Sequence, residues 1–163
     1  MLIRKAELKD LEDLLEIYNY EVVYGISTLD IHPKSLEEWR QWFDAHNIDN
    51  HPLIVAEMDG RAVGYASLSA YREKEAYCST VELSVYVDVS YRQRGVADKL
   101  MEAILDMAKT DENIHMVVSV ITGGNKASIR LHDKYGFSYC GSIHEVGVKL
   151  GEYRDIENYE LRV

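Results

Sequence analysis

Thr80-Val81-Glu82-Leu83-Ser84-Val85-Tyr86-Val87-Asp88-Val89-Ser90-Tyr91-Arg92-Gln93-Arg94-Gly95-Val96-Ala97 decides how the chain folds, because it passes from a strand through a basic turn into a helix. Tyr77 to Val87 is β-branched and aromatic enough to predict a long strand. From Gly95 to Lys109 the period becomes helical, with Val96, Leu100, Ile104, Leu105 and Ala108 on the buried face. The first turn of a helix offers unpaired N–H groups and a partial positive charge. Gly95 and the small Ala97 let an anion approach that backbone, while Arg92 and Arg94 add full charges and Lys99 stands one turn on. Such a turn suits a diphosphate. Its R-x-x-G-x-A pattern alone is generic, being neither a P-loop nor G-x-G-x-x-G.

Outward from this turn, Leu2 to Ala6 predicts a short strand. A helix follows from Asp10, its expected N-cap, with Leu11, Leu14, Leu15, Ile17, Tyr18 and Val22 in helical register. Ser35 and Glu38 form a capping-box pattern opening a second helix with Leu36, Trp39, Trp42 and Phe43. Leu53–Met58 and Ala62–Ser69 read as strands joined by the Asp59-Gly60 turn. Downstream, Met116–Ile121 is an apolar run expected to be a central strand. Asn125–Tyr135 predicts a helix stopped by Gly136. Ser138–Val148 and Arg154–Val163 predict two closing strands. No repeat, low-complexity tract or flexible linker interrupts residues 1–163, so one domain is expected. The element order predicts an α/β or α+β sandwich around a mostly antiparallel sheet.

Composition narrows the function classes. The 163 residues are 47% hydrophobic and 28% charged, the mix of a globular protein that can bury a core. The net charge of −10 disfavours nucleic acid and anionic membrane as partners. No apolar run is long enough to span a bilayer, and the N-terminus lacks signal-peptide character, so the cytoplasm is the expected compartment. Cys78 and Cys140 have no metal-ligand or C-x-x-C spacing and are expected to be reduced, mostly buried thiols. His32, His46, His51, His115 and His144 lack partner spacing and read as loop or surface residues. No metal is implied. Glu82, among apolar strand neighbours, is either a desolvated carboxylate with a raised pKa or a surface or ion-paired one.

The segments Thr80–Val87, Asn125-Lys126-Ala127-Ser128-Ile129-Arg130-Leu131-His132-Asp133-Lys134-Tyr135-Gly136-Phe137 and Val146-Gly147-Val148-Lys149-Leu150-Gly151 occur in that order. Together with Ile17-Tyr18-Asn19 and Asp155 they resemble the GNAT acyltransferase superfamily. The likeness is narrowest to its phosphinothricin and methionine-sulfoximine/sulfone N-acetyltransferase group, and it runs nearly end to end.

The resemblance implies a mixed, mostly antiparallel sheet, splayed in the middle, flanked by helices on both faces, with acetyl-CoA in the opening. Val85, Tyr86 and Val87 would offer backbone groups to the pantetheine arm. Arg92 and the amides of Arg94, Gly95, Val96 and Ala97 would hold the pyrophosphate, with Asn125 and Ser128 beside the cofactor arm. Glu82 would act as general base towards the amine, and His132 as acid or base, with Tyr135 a further donor more consistent with the core. A backbone N–H near Val85 or Tyr86 would meet the oxyanion. Thr28, Arg72, Lys74 and Tyr77 fall in segments expected to contact a small amino-acid-like amine. A homodimer through the C-terminal strands is also implied.

The sequence departs from the group at several positions. Gln93 and Ala97 replace glycines, and Gln93 fits at little cost if its φ is negative. Asp98, inside the first turn, is expected to be rotated away from a phosphate. Lys74 replaces an arginine, losing the bidentate fork for a carboxylate, and Leu150 and Glu152 replace an aromatic and an arginine. The acceptor therefore stays open between amino-acid analogues and another amine, such as a polyamine or a protein N-terminus. A non-catalytic acyl-CoA-binding module is the alternative of another class.

Overall fold

Alternating apolar residues in β2 (Leu53–Met58) and β3 (Arg61–Ala70) send successive side chains to opposite faces, and both faces are buried. Leu53, Val55, Ala62 and Tyr65 pack with Leu11, Leu14, Ile17 and Trp39, which belong to α1 (Leu11–Tyr24) and α2 (Leu36–Asp44). Ile54, Ala56, Val63, Ala66 and Leu68 pack instead with Val96, Leu100, Met101, Ile104 and Leu105 of α3 (Val96–Thr110). Two cores thus sandwich one sheet. The computed structural model describes residues 1–163.

The sheet has seven strands, adding β1 (Leu2–Lys5), β4 (Thr80–Val87), β5 (Met116–Thr122), β6 (Ser138–Lys149) and β7 (Glu152–Arg162) in the order β1-β2-β3-β4-β5-β7-β6. Every pairing is antiparallel except β4–β5, which α3 joins as a crossover. The hairpin at Asp59-Gly60 has positive φ at both residues, 53° and 80°, the geometry that matches strand twist. The last helix, α4 (Lys126–Lys134), is capped by the Asn125 side chain, which accepts from the Ser128 amide. The expected mixed sheet with helices on both faces is therefore present. Ser35 and Glu38 form the reciprocal capping box.

Several local expectations change. Asp10 stands at the N-cap of α1 as expected, but its side chain makes no cap bond there. Its buried carboxylate instead accepts the Arg4 guanidinium at 2.7 and 2.8 Å and the Glu7 amide at 2.8 Å, because a nearby cation outcompetes a neutral N–H. Strand β4 starts at Thr80 rather than Tyr77, since Glu75–Tyr77 closes into a 3-10 turn. Both cysteines are free but exposed, not buried: Cys78 follows that turn, and Cys140 lies on the edge strand β6. His46 is buried rather than superficial, with Nδ1 at 2.7 Å from the Trp42 carbonyl and Nε2 at 2.8 Å from Ser69 Oγ. No helix is long and apolar enough to cross a membrane.

Gly64 lets β3, β4 and α3 approach closely, because a Cβ there would lie 3.0 Å from the Tyr86 carbonyl oxygen and 3.1 Å from Val96 Cγ1. Gly64→Ala is expected to lose about 1–3 kcal/mol through overpacking, read as a lower urea midpoint with unchanged slope.

Candidate active site

Strand β4 keeps its ladder to β3 as far as Val87, opposite Gly64. Its parallel ladder to β5 covers only Thr80 to Glu82, opposite Met116 to Val118. Strand β5 turns instead to β7, pairing through Thr122 with Ile156. The two neighbours diverge, leaving the side of Leu83–Val87 that faces away from β3 without a sheet partner. A cavity of about 480 Å³ fills this opening, walled by Leu83–Val87, the turn up to α3, Ser119–Thr122 of β5, and Asn125, Ser128 and His132.

At the N-cap of α3, Gly95 adopts φ 77°, and Gly95, Val96 and Ala97 of this first turn line the cavity. Gln93 has φ 60°, not the negative value at which it would fit at little cost, so this turn has two left-handed positions, Gln93 and Gly95 with Arg94 between them, and strains a non-glycine residue. Asp98 reaches the cavity rim but is neutralised by Lys134, and its carbonyl accepts the Tyr135 hydroxyl at 2.9 Å. Lys99 pairs with Glu102 at 2.8 Å, outside the cavity wall. The Arg94 guanidinium rests over the Tyr91 ring, 5.1 Å from its centroid. Arg92 lines the cavity and forms an ion pair with Glu21 of α1.

A second cavity, about 390 Å³, lies on the α1–α2 side of the sheet. Tyr18, Trp39, Trp42, Tyr65 and Tyr86 give it aromatic walls, with Thr28, Asp30, Lys34, Glu38, Glu82 and Ser84 as polar groups. Ser84 and Tyr86 belong to both cavities, which therefore meet across β4. Asp30 is occupied by the Tyr18 hydroxyl at 2.6 Å and Lys34 at 3.1 Å, and Glu38 by its capping box. Glu82 has neither ion pair nor hydrogen bond, and burial pushes its carboxyl up from the usual 4.5. Thr28 is in this wall, whereas Arg72, Lys74 and Tyr77 line neither cavity; Arg72 lies over the Tyr71 and Tyr77 rings.

His132 is buried on α4. Its Nδ1 stands 2.8 Å from the Ser128 carbonyl, which can only accept, so the proton sits on Nδ1. Nε2 then accepts the Ser119 hydroxyl at 2.7 Å, and burial lowers the imidazole pKa, so the ring is neutral. Tyr135 lines neither cavity, and burial and its bond to the Asp98 carbonyl push its phenol up to about 12. No cluster of three or more His, Cys, Asp and Glu side chains has metal-holding geometry.

Residues 11–137 match the family model described as the acetyltransferase (GNAT) family. The chain belongs to that family. It is a GNAT enzyme, an acetyl-CoA-dependent N-acetyltransferase. The L-methionine sulfoximine/L-methionine sulfone acetyltransferase of Pseudomonas paraeruginosa is 35% identical to this GNAT chain, covering 99% of it and 94% of that protein. A crystal structure of a ribosomal-protein-alanine N-acetyltransferase from Brucella melitensis superposes with TM-score 0.95 and 36% identity, over all of both chains. A phosphinothricin acetyltransferase of Sinorhizobium meliloti, crystallised in complex with acetyl-CoA, gives TM-score 0.94 and 29% identity over 99% of this chain and 88% of that one.

The GNAT site also contains groups that motif reading passed over. Ser119, 2% exposed, is the single hydroxyl in the apolar run of β5, a signal visible in sequence. Glu21 falls on the same helical stripe as Leu14 and Ile17, where a carboxylate is out of place unless paired. Lys149, 2% exposed, reaches from the end of β6 to the backbone carbonyls of Asp30 and Glu21, so it fixes the loop after α1 without a carboxylate partner.

The raised pKa of Glu82 has a definite stability sign. Below the usual carboxylate pKa the group is protonated in both folded and unfolded chains; as pH rises through the folded value, ionisation is penalised only in the folded state. Glu82→Gln should therefore melt higher than wild type near pH 8, and the gain should vanish below about pH 4.5 in a calorimetric pH series.

Proposed function

We propose that this single GNAT-type domain, residues 1–163, transfers the acetyl group of acetyl-CoA to the amine of a small amino-acid-like substrate of the methionine sulfoximine or phosphinothricin type. The observation that carries the reading is the meeting of the two cavities at β4, with an unpaired, half-buried Glu82 on the acceptor side. The acetyl-CoA bound in the Sinorhizobium neighbour and the substrates in the relatives' names support it.

The larger cavity fits the cofactor chemically. The amides of Arg94, Gly95, Val96 and Ala97, with Arg92, would hold the pyrophosphate at the start of α3. Val85, Tyr86 and Val87 would pair with the pantetheine amides along the free edge of β4, and Asn125 and Ser128 would border the arm. Acetyl-CoA supplies an activated thioester: as the C–N bond forms, its C–S bond would break, and the coenzyme would leave as a thiolate that takes up the second proton lost by the nitrogen. Glu82 takes a proton from the incoming ammonium, directly or through water, and leaves the nitrogen lone pair free to attack. A free backbone N–H near Val85 or Tyr86 faces the developing negative oxygen. His132, held neutral with its lone pair on Ser119, is arranged as a proton acceptor rather than a donor. Thr28 contributes to the acceptor wall, whereas Arg72, Lys74 and Tyr77 stand outside it in the segment before β4 and are given no role in this reading.

The Brucella neighbour keeps a protein N-terminus in play as acceptor, and the acidic surface suits cationic amines by steering. The exposed Ile143, Val146, Val148, Leu150 and Tyr153 on the β6–β7 hairpin support a homodimer through this face. Cytoplasmic work accords with two exposed thiols left unpaired.

A thiol-release assay with acetyl-CoA and a panel of methionine sulfone, methionine sulfoximine, phosphinothricin, a polyamine and an alanyl peptide tests the function. Turnover is expected with one of the first three, and Glu82→Gln should lower kcat about 10²–10⁴-fold. No turnover with any amine would refute it. Sedimentation should give a dimer, and Val148→Asp should shift it to monomer.

A further inference from the structure

Glu21 is an isolated carboxylate on the inner stripe of α1, and its side chain is 5% exposed. It does two things at once. Oε1 pairs with Arg92 Nη2, in the turn leading to α3. Oε2 accepts the backbone amide of Ser27 at 3.3 Å, in the loop that follows α1. A Cβ built on Gly25 would overlap this carboxylate, so the loop is shaped around it.

Ser27 stands where the cavities adjoin. Its amide meets Glu21, its carbonyl accepts the Tyr86 hydroxyl at 3.3 Å, and its Oγ accepts from Asn125 Nδ2 at 3.4 Å. Its neighbour Thr28 lines the acceptor cavity. The Arg92 fork, meanwhile, uses Nη2 for Glu21 and Nε for the Val87 carbonyl at 3.3 Å, while Nη1 has no protein partner.

We propose that Glu21 is a positioning residue that couples the cofactor cavity to the acceptor loop, so that a phosphate group held by Arg92 orders residues 25–30. A guanidinium can serve a carboxylate and a phosphate together because it carries five donors in a rigid plane. An anion on Nη1 fixes the plane, the fixed plane stops the Glu21 carboxylate from rotating, and the Ser27 amide loses its alternatives. The ordering cost of the acceptor loop is thereby met on cofactor binding, and the coupling is reciprocal. A carboxylate this buried gains its place only through such a partner, because an unpaired buried charge is costly. The coupling rests on the assignment of the larger cavity to acetyl-CoA.

Hydrogen exchange of residues 25–30, with acetyl-CoA affinity measured by calorimetry, tests the proposal without requiring the true acceptor. In the wild type, saturating acetyl-CoA should slow exchange of this segment about tenfold or more. In Glu21→Gln, acetyl-CoA should still bind, its Kd weakened by the factor the loop response loses, about three- to tenfold, while the loop response falls below about threefold. Arg92→Lys, which keeps the charge and loses the fork, should blunt the response in the same way. A role confined to folding would lower protection equally with and without ligand, and that pattern would overturn the proposal. A full loop response in both variants would overturn it too. Failure of the wild type to bind acetyl-CoA would instead overturn the cofactor assignment, and the coupling with it.

Discussion

Beyond Glu82 the backbone of β4 has a neighbour on one side only. Strand β3 follows it to Val87, held close by Gly64, while β5 leaves it after Val118 to pair with β7. An unpaired strand edge inside a protein is costly unless something satisfies its amides and carbonyls. Here the divergence makes a cavity with the first turn of α3 at one end, and side chains meet part of the edge: Ser119 Oγ at the Leu83 carbonyl and Arg92 Nε at the Val87 carbonyl. The residues proposed for catalysis border that opening. Glu82 is the last β4 residue before it, and Ser119 faces it from β5.

Charge is arranged against the general field of the molecule. A chain of net charge −10 offers an acidic surface, and in the proposed cofactor site a helix N-terminus and a few cations stand against it. The cations near the turn are partly committed. Lys134 neutralises Asp98, Lys99 is paired with Glu102, and Arg92 is held by Glu21. On the acceptor side the same economy applies. Asp30 and Glu38 are satisfied within the protein, whereas the Glu82 carboxylate has no partner.

Polar side chains tie the loop after α1 to the sheet and to α4. Lys149 joins the end of β6 to the loop after α1, and Ser27 joins that loop to β4 and α4. His132 is held between the Ser128 carbonyl and the Ser119 hydroxyl, which fixes the orientation of its ring. Such bonds gain strength from their low-dielectric surroundings.

The sequence by itself determined the elements and the family. Periodicity placed α1, α2 and α3, the capping box marked the start of α2, and the Asp59-Gly60 turn marked the β2–β3 hairpin, because these depend on neighbours a few residues apart. The motif around Glu82 and His132 indicated the chemistry in the same local way. What only the tertiary structure decided depends on partners far apart in the chain. Asp10 prefers Arg4 to its own helix, His46 is buried by Ser69, and Gln93 takes a positive φ that the closing of the turn imposes. The pairing of Glu21 with Arg92, 71 positions apart, belongs to the same class. Local preference is worth about a kilocalorie per mole, and a buried ion pair or a packed turn readily exceeds it.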